Sequence, residues 1–348
     1  MTFLRRAPPL TLACVVLLGA ACGPSAPPAA SAPTREDAKL HDGPLTDYVP
    51  AAGLRWLAVA RLDDLAAAPQ LRPSLELLFP AERLDSFSKG SGIDLRETPE
   101  ALAAGFDYAT VFAARTDRVS VPEENFAKRL VTDPKVTSPH PGLRVIGGLV
   151  GSTPETLVSM DRRWVLVSVG SATPAKVAIL FATGRLKKTV PALNGAALKG
   201  FPDAVEAAPL RIYAPGPFQG EWLNAGGGLL AAATAVALTV EPVDPHDVKL
   251  TLRIAGQWDL EDRPRLLSAW GQLAEDPLGR LLALNEPVET PRVSSTLEML
   301  TLEVRLRAEP LARGLRAAVM AEIDEILGLP ARSKSESDFE NLDVRKRD

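Results

Sequence analysis

The groups of this 348-residue chain that could do chemistry are few: the thiols Cys14 and Cys22, the histidines His41, His140 and His246, and two short motifs. Ser86-Phe87-Ser88-Lys89 sets a hydroxyl and an amine three residues apart, the spacing of a serine acyl-transfer nucleophile and its lysine. The Ser-Asp-Asn and Lys-Thr-Gly companions of that motif are absent. Gly170-Ser171-Ala172-Thr173-Pro174-Ala175-Lys176-Val177 lies between a strand pattern and a helix pattern, where a phosphate-binding loop would lie. Ala175 replaces the second glycine, Val177 replaces the magnesium-binding hydroxyl, and Pro174 removes an amide donor. The segment reads as a strand–cap–helix junction, with Thr173 as cap and Pro174 in the first helical position. No two histidines share a helical turn, so no zinc-type cluster is expected. His246, between Asp244 and Asp247, reads as part of a solvated turn. No Gly-x-Ser-x-Gly elbow occurs, and no nucleophile–base pair is indicated. Trp222, beside Gly226-Gly227-Gly228, is the candidate ligand-binding residue; Trp56, Trp164, Trp258 and Trp270 occupy apolar-face positions and read as core. No metal and no cofactor is implied.

The chemistry that the sequence does specify sits at Cys22. Arg5 and Arg6 make a positive start, Ala7–Leu18 is largely apolar, and Leu18-Gly19-Ala20-Ala21 leads directly into Cys22. A charged start, a short apolar run and small residues form a secretory signal, and the run is shorter than the roughly 20 residues needed to span a bilayer. The segment resembles the lipobox of bacterial lipoproteins, with Gly19 where that family usually has Leu. The resemblance implies cleavage after residue 21, diacylglycerol on the Cys22 thiol and an acylated new amino terminus. Gly23 in place of Asp implies an outer-membrane destination facing the periplasm or the cell surface. Cys14 would leave with the signal, so the folded body would carry no disulfide, no thiolate metal ligand and no thiol nucleophile.

Loss of Arg5 and Arg6 from 39 basic residues, against 43 acidic ones, leaves a mature charge of about −6 and no basic patch of nucleic-acid type. Residues 22–49 form a Pro/Ala/Ser-rich tether. At about 3.1 Å per residue, its Gly23–Glu36 stretch would hold the body up to roughly 40 Å from the membrane. The charged run 330–348 reads as a disordered tail.

Between these segments the hydrophobic periods mix. Leu54–Arg61, Tyr108–Ala114 and Leu143–Val150 predict strands, and Leu71–Phe79 a helix ended by Pro80. Thr156–Met160 and Arg163–Val169 predict a hairpin, followed by a helix from Thr173 that closes at Gly184. Thr234–Val240 and 249–258 predict a second hairpin through Asp244-Pro245-His246-Asp247. Leu266, Leu267, Trp270 and Leu273 mark a helix. Leu300, Leu302, Val304 and Leu306 mark a strand, with a bulge expected near Leu300 because Leu297 and Met299 fall in the opposite phase. A final helix is expected from Pro310, its stripe running from Leu311 to Leu327 and its stop at Gly328. One-sided strands predict an α+β fold: antiparallel sheets with helices packed on one face, arranged as two similar halves, 50–203 and 204–329.

Leu54–Leu62 running into a helix, Gly92-Ile93-Asp94-Leu95 before a strand, Arg163–Val169 before a helix, and Leu311-Ala312-Arg313-Gly314-Leu315 resemble uncharacterised bacterial lipoproteins built from repeated α+β units. That resemblance implies no catalytic residue. The expectation is therefore a non-enzymatic, lipid-anchored cell-envelope protein. Its partners would be the membrane, through the acyl chains on Cys22, and an envelope protein or a lipid or other apolar ligand. The alternative is an envelope hydrolase using Asp and Glu residues in a cleft. Replacing the thiol tests the anchor: Cys22→Ser should move the protein from the membrane fraction to the soluble fraction, and unchanged membrane retention would contradict it.

Overall fold

The computed structural model describes residues 39–320, apart from 69–70, 186–188, 202, 221–224 and 245. Cys14, Cys22, Trp222, the charged run 330–348 and the final helix beyond residue 320 lie outside the described residues.

The described chain is organised by one antiparallel sheet. Its strands in chain order are β1 (Leu54–Arg61), β2 (Glu100–Phe106), β3 (Ala109–Arg115), β4 (Lys135–His140), β5 (Leu143–Val150) and β6 (Thr153–Met160). They continue with β7 (Trp164–Val169), β8 (Leu210–Pro215), β9 (Ala235–Asp244), β10 (Asp247–Ala255), β11 (Arg292–Ser295) and β12 (Met299–Arg307). They lie side by side in the order β11-β12-β10-β9-β8-β1-β2-β3-β7-β6-β5-β4, each neighbouring pair antiparallel. The strands of segment 50–203 and those of segment 204–329 thus belong to a single sheet. They are joined where β1 pairs with β8, Leu57 opposite Tyr213 and Ala58 opposite Ile212. Each segment runs a three-strand meander and leaves the sheet. It then returns to pair on the outer side of the third strand, β7 on β3 and β12 on β10.

The helices are α1 (Leu62–Ala66), α2 (Arg72–Leu78), α3 (Ala81–Ser91), α4 (Ser120–Arg129), α5 (Thr173–Ala182), α6 (Asp203–Ala207), α7 (Asp262–Glu275), α8 (Pro277–Leu281) and α9 (Ala308–Met320). The α+β class and the antiparallel pairing are as the periodicity predicts. The helices, however, cover both faces, because side chains alternate across a strand and register fixes which ones share a face. Leu57, Leu102, Val111, Leu166 and Val158 share face 1 and form one core with α5 and the 3-10 turn Leu45–Tyr48. The end of the expected tether 22–49 is thereby corrected: Leu45, Tyr48 and Val49 are buried parts of the body. Ala175, Ala178 and Ala182 are fully buried along one stripe of α5, and these small residues let the helix lie close to the sheet. The opposite phase forms face 2. At one end of it, Leu300, Leu302 and Val304 pack with Trp258, Leu266, Ala308 and Leu71, under α2, α7 and α9. At the other end, Phe126 of α4 packs on Ile146 and Leu157.

Several local expectations are corrected. The cap of α5 is Ala172; Thr173 is already helical, and its N–H donates to the Ser171 hydroxyl at 3.2 Å. The helix does close at Gly184, whose φ of +64° allows the N–H groups of Gly184 and Arg185 to reach the Phe181 and Leu180 carbonyls at 3.0 and 2.9 Å. No bulge interrupts β12 near Leu300, because the strand starts at Met299 and pairs without a shift from Met299 to Arg307. Met299 simply points to face 1, and Leu297 lies before the strand, exposed. Leu267 and Leu273 of α7 are also exposed. Trp56 is not core: it is 39% exposed, on face 2 beside Gly105. Trp164 and Trp258 are buried as expected.

Tyr213 sits on face 1 at the seam between the two segments, 6.1 Å from the Phe201 ring. Burial pushes its hydroxyl from 10.0 up to about 12. Burial also raises the Tyr48 hydroxyl. A raised folded-state value favours the protonated ring, so its contribution is intact below pH 10 and is lost as pH climbs from about 10 to about 12. Melting temperature should therefore fall over that window, and fall less in Tyr213→Phe. An identical alkaline decline in both proteins would contradict this.

Candidate functional site

The gap between the two helical layers on face 2 is a wide concave feature of the sheet. β1, β2 and β3 cross it with small side chains: Ala58 and Ala60, Ala101 and Ala103, and Ala114. Register places Ala58 opposite Ala103 and Ala103 opposite Phe112, so the small groups lie side by side rather than scattered. Their neighbours in sequence, Leu57, Val59 and Leu102, point to face 1 and are buried there. Beyond Phe112 the floor continues through Val165, Val167 and Val169 of β7 to Leu157 of β6. Alanine methyls leave unfilled the height that leucines would occupy, and the result is a cavity of about 820 Å³. That volume lies within the range of small-molecule sites.

The wall opposite the sheet is made by α3 and α4. From α3, Ser86, Phe87, Gly90 and Ser91 line the space, although the helix has no buried residue of its own. From α4 come Pro122, Phe126 and Arg129. The two helices meet at Gly92, which has φ +79° and where a Cβ would stand 2.6 Å from the backbone nitrogen of Pro122. A side chain there would meet both the left-handed backbone and that contact. Asn125 Nδ2 donates to the Lys89 carbonyl at 3.0 Å and fastens the same junction. Arg96 ties the loop after α3 back to it, reaching Asp85 and Asp94 at 2.8 Å each, and its hydrogen bonds hold the Asp94 carboxyl below the usual carboxylate range.

Among the described residues, Arg129 and Glu155 are the charged side chains that line the cavity. They pair at 3.2 Å, and the Arg129 guanidinium also lies 5.6 Å from the centre of the Phe126 ring. A second carboxylate, Glu123 of α4, accepts hydrogen bonds from the Ser159 hydroxyl and, at 2.9 Å, from Arg144 Nη1. Glu123 is not part of the lining. Glu155 and Glu123 are thus each held by an arginine, and of the two only Glu155 lines the cavity.

The sequence-derived candidates fall elsewhere. Ser86 lines the cavity, but Lys89 of the same motif does not. Gly170–Val177 is a strand-to-helix junction, and Gly170 N–H donates to the Pro154 carbonyl at 2.9 Å. His41 pairs with Asp47 at 2.7 Å. The aspartates flanking His246 are held by Arg305, Asp244 at 2.5 Å and Asp247 at 2.8 Å. Among the described residues no group of three or more His, Cys, Asp or Glu side chains could hold a metal ion. A smaller hollow of about 330 Å³ lies between Gly227 and α7, lined by Pro264, Arg265, Ser268 and Gln272. The signal for the large cavity was present in the sequence as alternating alanines at 58/60 and 101/103. It becomes a site only when register sets these pairs beside each other.

No family model matches the chain, and no curated protein matches it. Among solved structures, crystal form I of the protein TP0453 is similar over 80% of this chain and 98% of that one, at 10% identity and a TM-score of 0.41. A likeness at that level carries no argument about function. Among the described residues no helix is long and apolar enough to cross a membrane.

If the alanine floor leaves real free volume, adding methylenes should be tolerated there and removing them nearby should not. Ala103→Leu should leave the melting temperature unchanged or raised. Leu57→Ala, at a fully buried position on face 1 outside the lining, should lose about 2–5 kcal/mol. Strong destabilisation by Ala103→Leu in chemical denaturation would show that the space is already filled.

Proposed function

We propose that the protein is a non-enzymatic, lipid-anchored component of a bacterial cell envelope that holds an apolar ligand between the sheet and helices α3 and α4. The observation that carries this reading is the cavity of about 820 Å³ with a floor of alanine, valine and phenylalanine side chains. Phe112, in the middle of that floor, is 51% exposed. A large apolar side chain at the centre of a sheet face is normally covered; a contiguous uncovered patch marks a binding surface. An apolar ligand entering the cavity would remove this surface from water, gaining about 25 cal/mol per Å².

The Cys22 anchor and the tether suit such a role, since they would hold the body near a membrane yet free to turn. The hydrolase alternative has no comparable support. Glu155, the lining carboxylate, is committed to Arg129, and the other nearby carboxylate, Glu123, is committed to Ser159 and Arg144. Acid–base chemistry on two carboxylates needs both to face a substrate.

The uncharged fluorescent probe N-phenylnaphthylamine tests the reading on the full chain carrying Cys22→Ser. It should bind with an emission increase, and Ala103→Trp, which fills the floor, should weaken binding at least about tenfold while the protein stays folded. Equal binding by the filled variant would contradict the reading.

A further inference from the structure

We propose that the ligand is an amphiphile, an acyl chain carrying an anionic head, and that Arg129 is the residue that receives the head. This rests on the apolar-ligand reading above and adds the chemistry of its polar end.

The lining is apolar almost throughout, so a ligand lying in it must be apolar along most of its length, because an unpaired charge against alanine and valine side chains would be costly to desolvate. A head can be tolerated only where the protein supplies a partner, and the lining offers one cation among the described residues. Arg129 is placed to serve. It stands in the last turn of α4, with its side chain 49% exposed, whereas Glu155 beside it is only 10% exposed. The pair is therefore asymmetric: the carboxylate is sunk under the helix and the guanidinium opens toward solvent at the cavity's edge. The Arg129 guanidinium carbon also lies 5.6 Å from the centre of the buried Phe126 ring, a cation–π contact that helps hold the group in place. One of its hydrogen bonds, from Nη2, goes to Glu155. A guanidinium has five N–H donors in a planar fork, and that fork matches a carboxylate or phosphate oxygen pair. Glu155 leaves donors to spare while holding the group in place.

Two other features carry less. The buried polar groups of Arg211, Thr239, Thr251 and Arg253 lie on adjacent strands of face 1, but they line neither the large cavity nor the smaller hollow. The hollow beside Gly227 is small and polar on one wall.

The shared chemistry, an oxyanion at the end of an acyl chain, fits either a free fatty acid or a lysophospholipid phosphate, and both can be presented. Membranes carrying the full chain are exposed to diazirine-tagged hexadecanoate, hexadecanol or palmitoyl lysophosphatidate, and labelled peptides are mapped by mass spectrometry. The expected result is labelling of β3 and β7 peptides, with at least one of the two anionic probes competing about tenfold better than the alcohol. The better of the two identifies the source of the head. That preference should vanish in Arg129→Gln. It should vanish equally in the Arg129→Gln/Glu155→Gln double variant, which leaves no buried carboxylate unpaired and so guards against simple misfolding. It should persist in Lys128→Gln, which removes the same charge one residue away, outside the lining. Equal labelling by alcohol and anions, or a preference that survives the double variant, overturns the head-group assignment and leaves the apolar cavity standing. Absence of labelling by all three probes overturns both.

Discussion

One continuous sheet has to be covered on both faces, and the helices available do not reach all of face 2. Face 1 is covered by α5 and the turn at Leu45–Tyr48, over the fully buried Leu57, Val158 and Trp164. On face 2, α2, α7 and α9 cover the β9–β12 end and α4 covers the β5–β6 end. Between them lie β1, β2 and β3, whose side chains on that face are mostly alanine. Alanine there serves two needs at once. It spares the protein from exposing a row of leucines, and it leaves a space that a foreign apolar group can fill. α3 borders this space without burying a residue of its own, so its wall is held by the Gly92–Pro122 junction and the Asn125 and Arg96 contacts rather than by a core.

Charge is arranged with the same economy. The acidic groups around the cavity are paired locally, Glu155 with Arg129 and Glu123 with Arg144, and the Ser159 hydroxyl also donates to Glu123, which keeps uncompensated charge out of an apolar space. Because Arg129 is much more exposed than Glu155, the pair still presents a donor-rich edge outward. A binding reading uses both features, the apolar floor and the donor-rich edge. A hydrolytic reading uses neither.

The sequence carried the element pattern well where one face of a strand is buried and the other is not. β1 was delimited to the residue, and the β6–β7 and β9–β10 hairpins and the α5 stop at Gly184 were legible from alternation and turn residues. β2 and α3 were not. Glu100–Phe106 is small and nearly all apolar, so no alternation marks it, and α3 packs so lightly that no apolar stripe is needed. Trp56 misled for a related reason: its size suggests core, yet it lies over Gly105, where the missing side chain makes room for the ring on an open face. The cavity stayed hidden because it is a property of register. Ala58 is far in the chain from Ala103 and Phe112, and the three mean little until pairing sets them in one row.

The central claim is that the space above this alanine row accepts an apolar chain. Anomalous X-ray diffraction from crystals soaked with hexadecanoate brominated near its methyl end tests it directly. The account predicts a bromine peak within the cavity, over Ala103, Phe112 and Val167. A peak confined to the molecular surface, or none at full soaking, would contradict it.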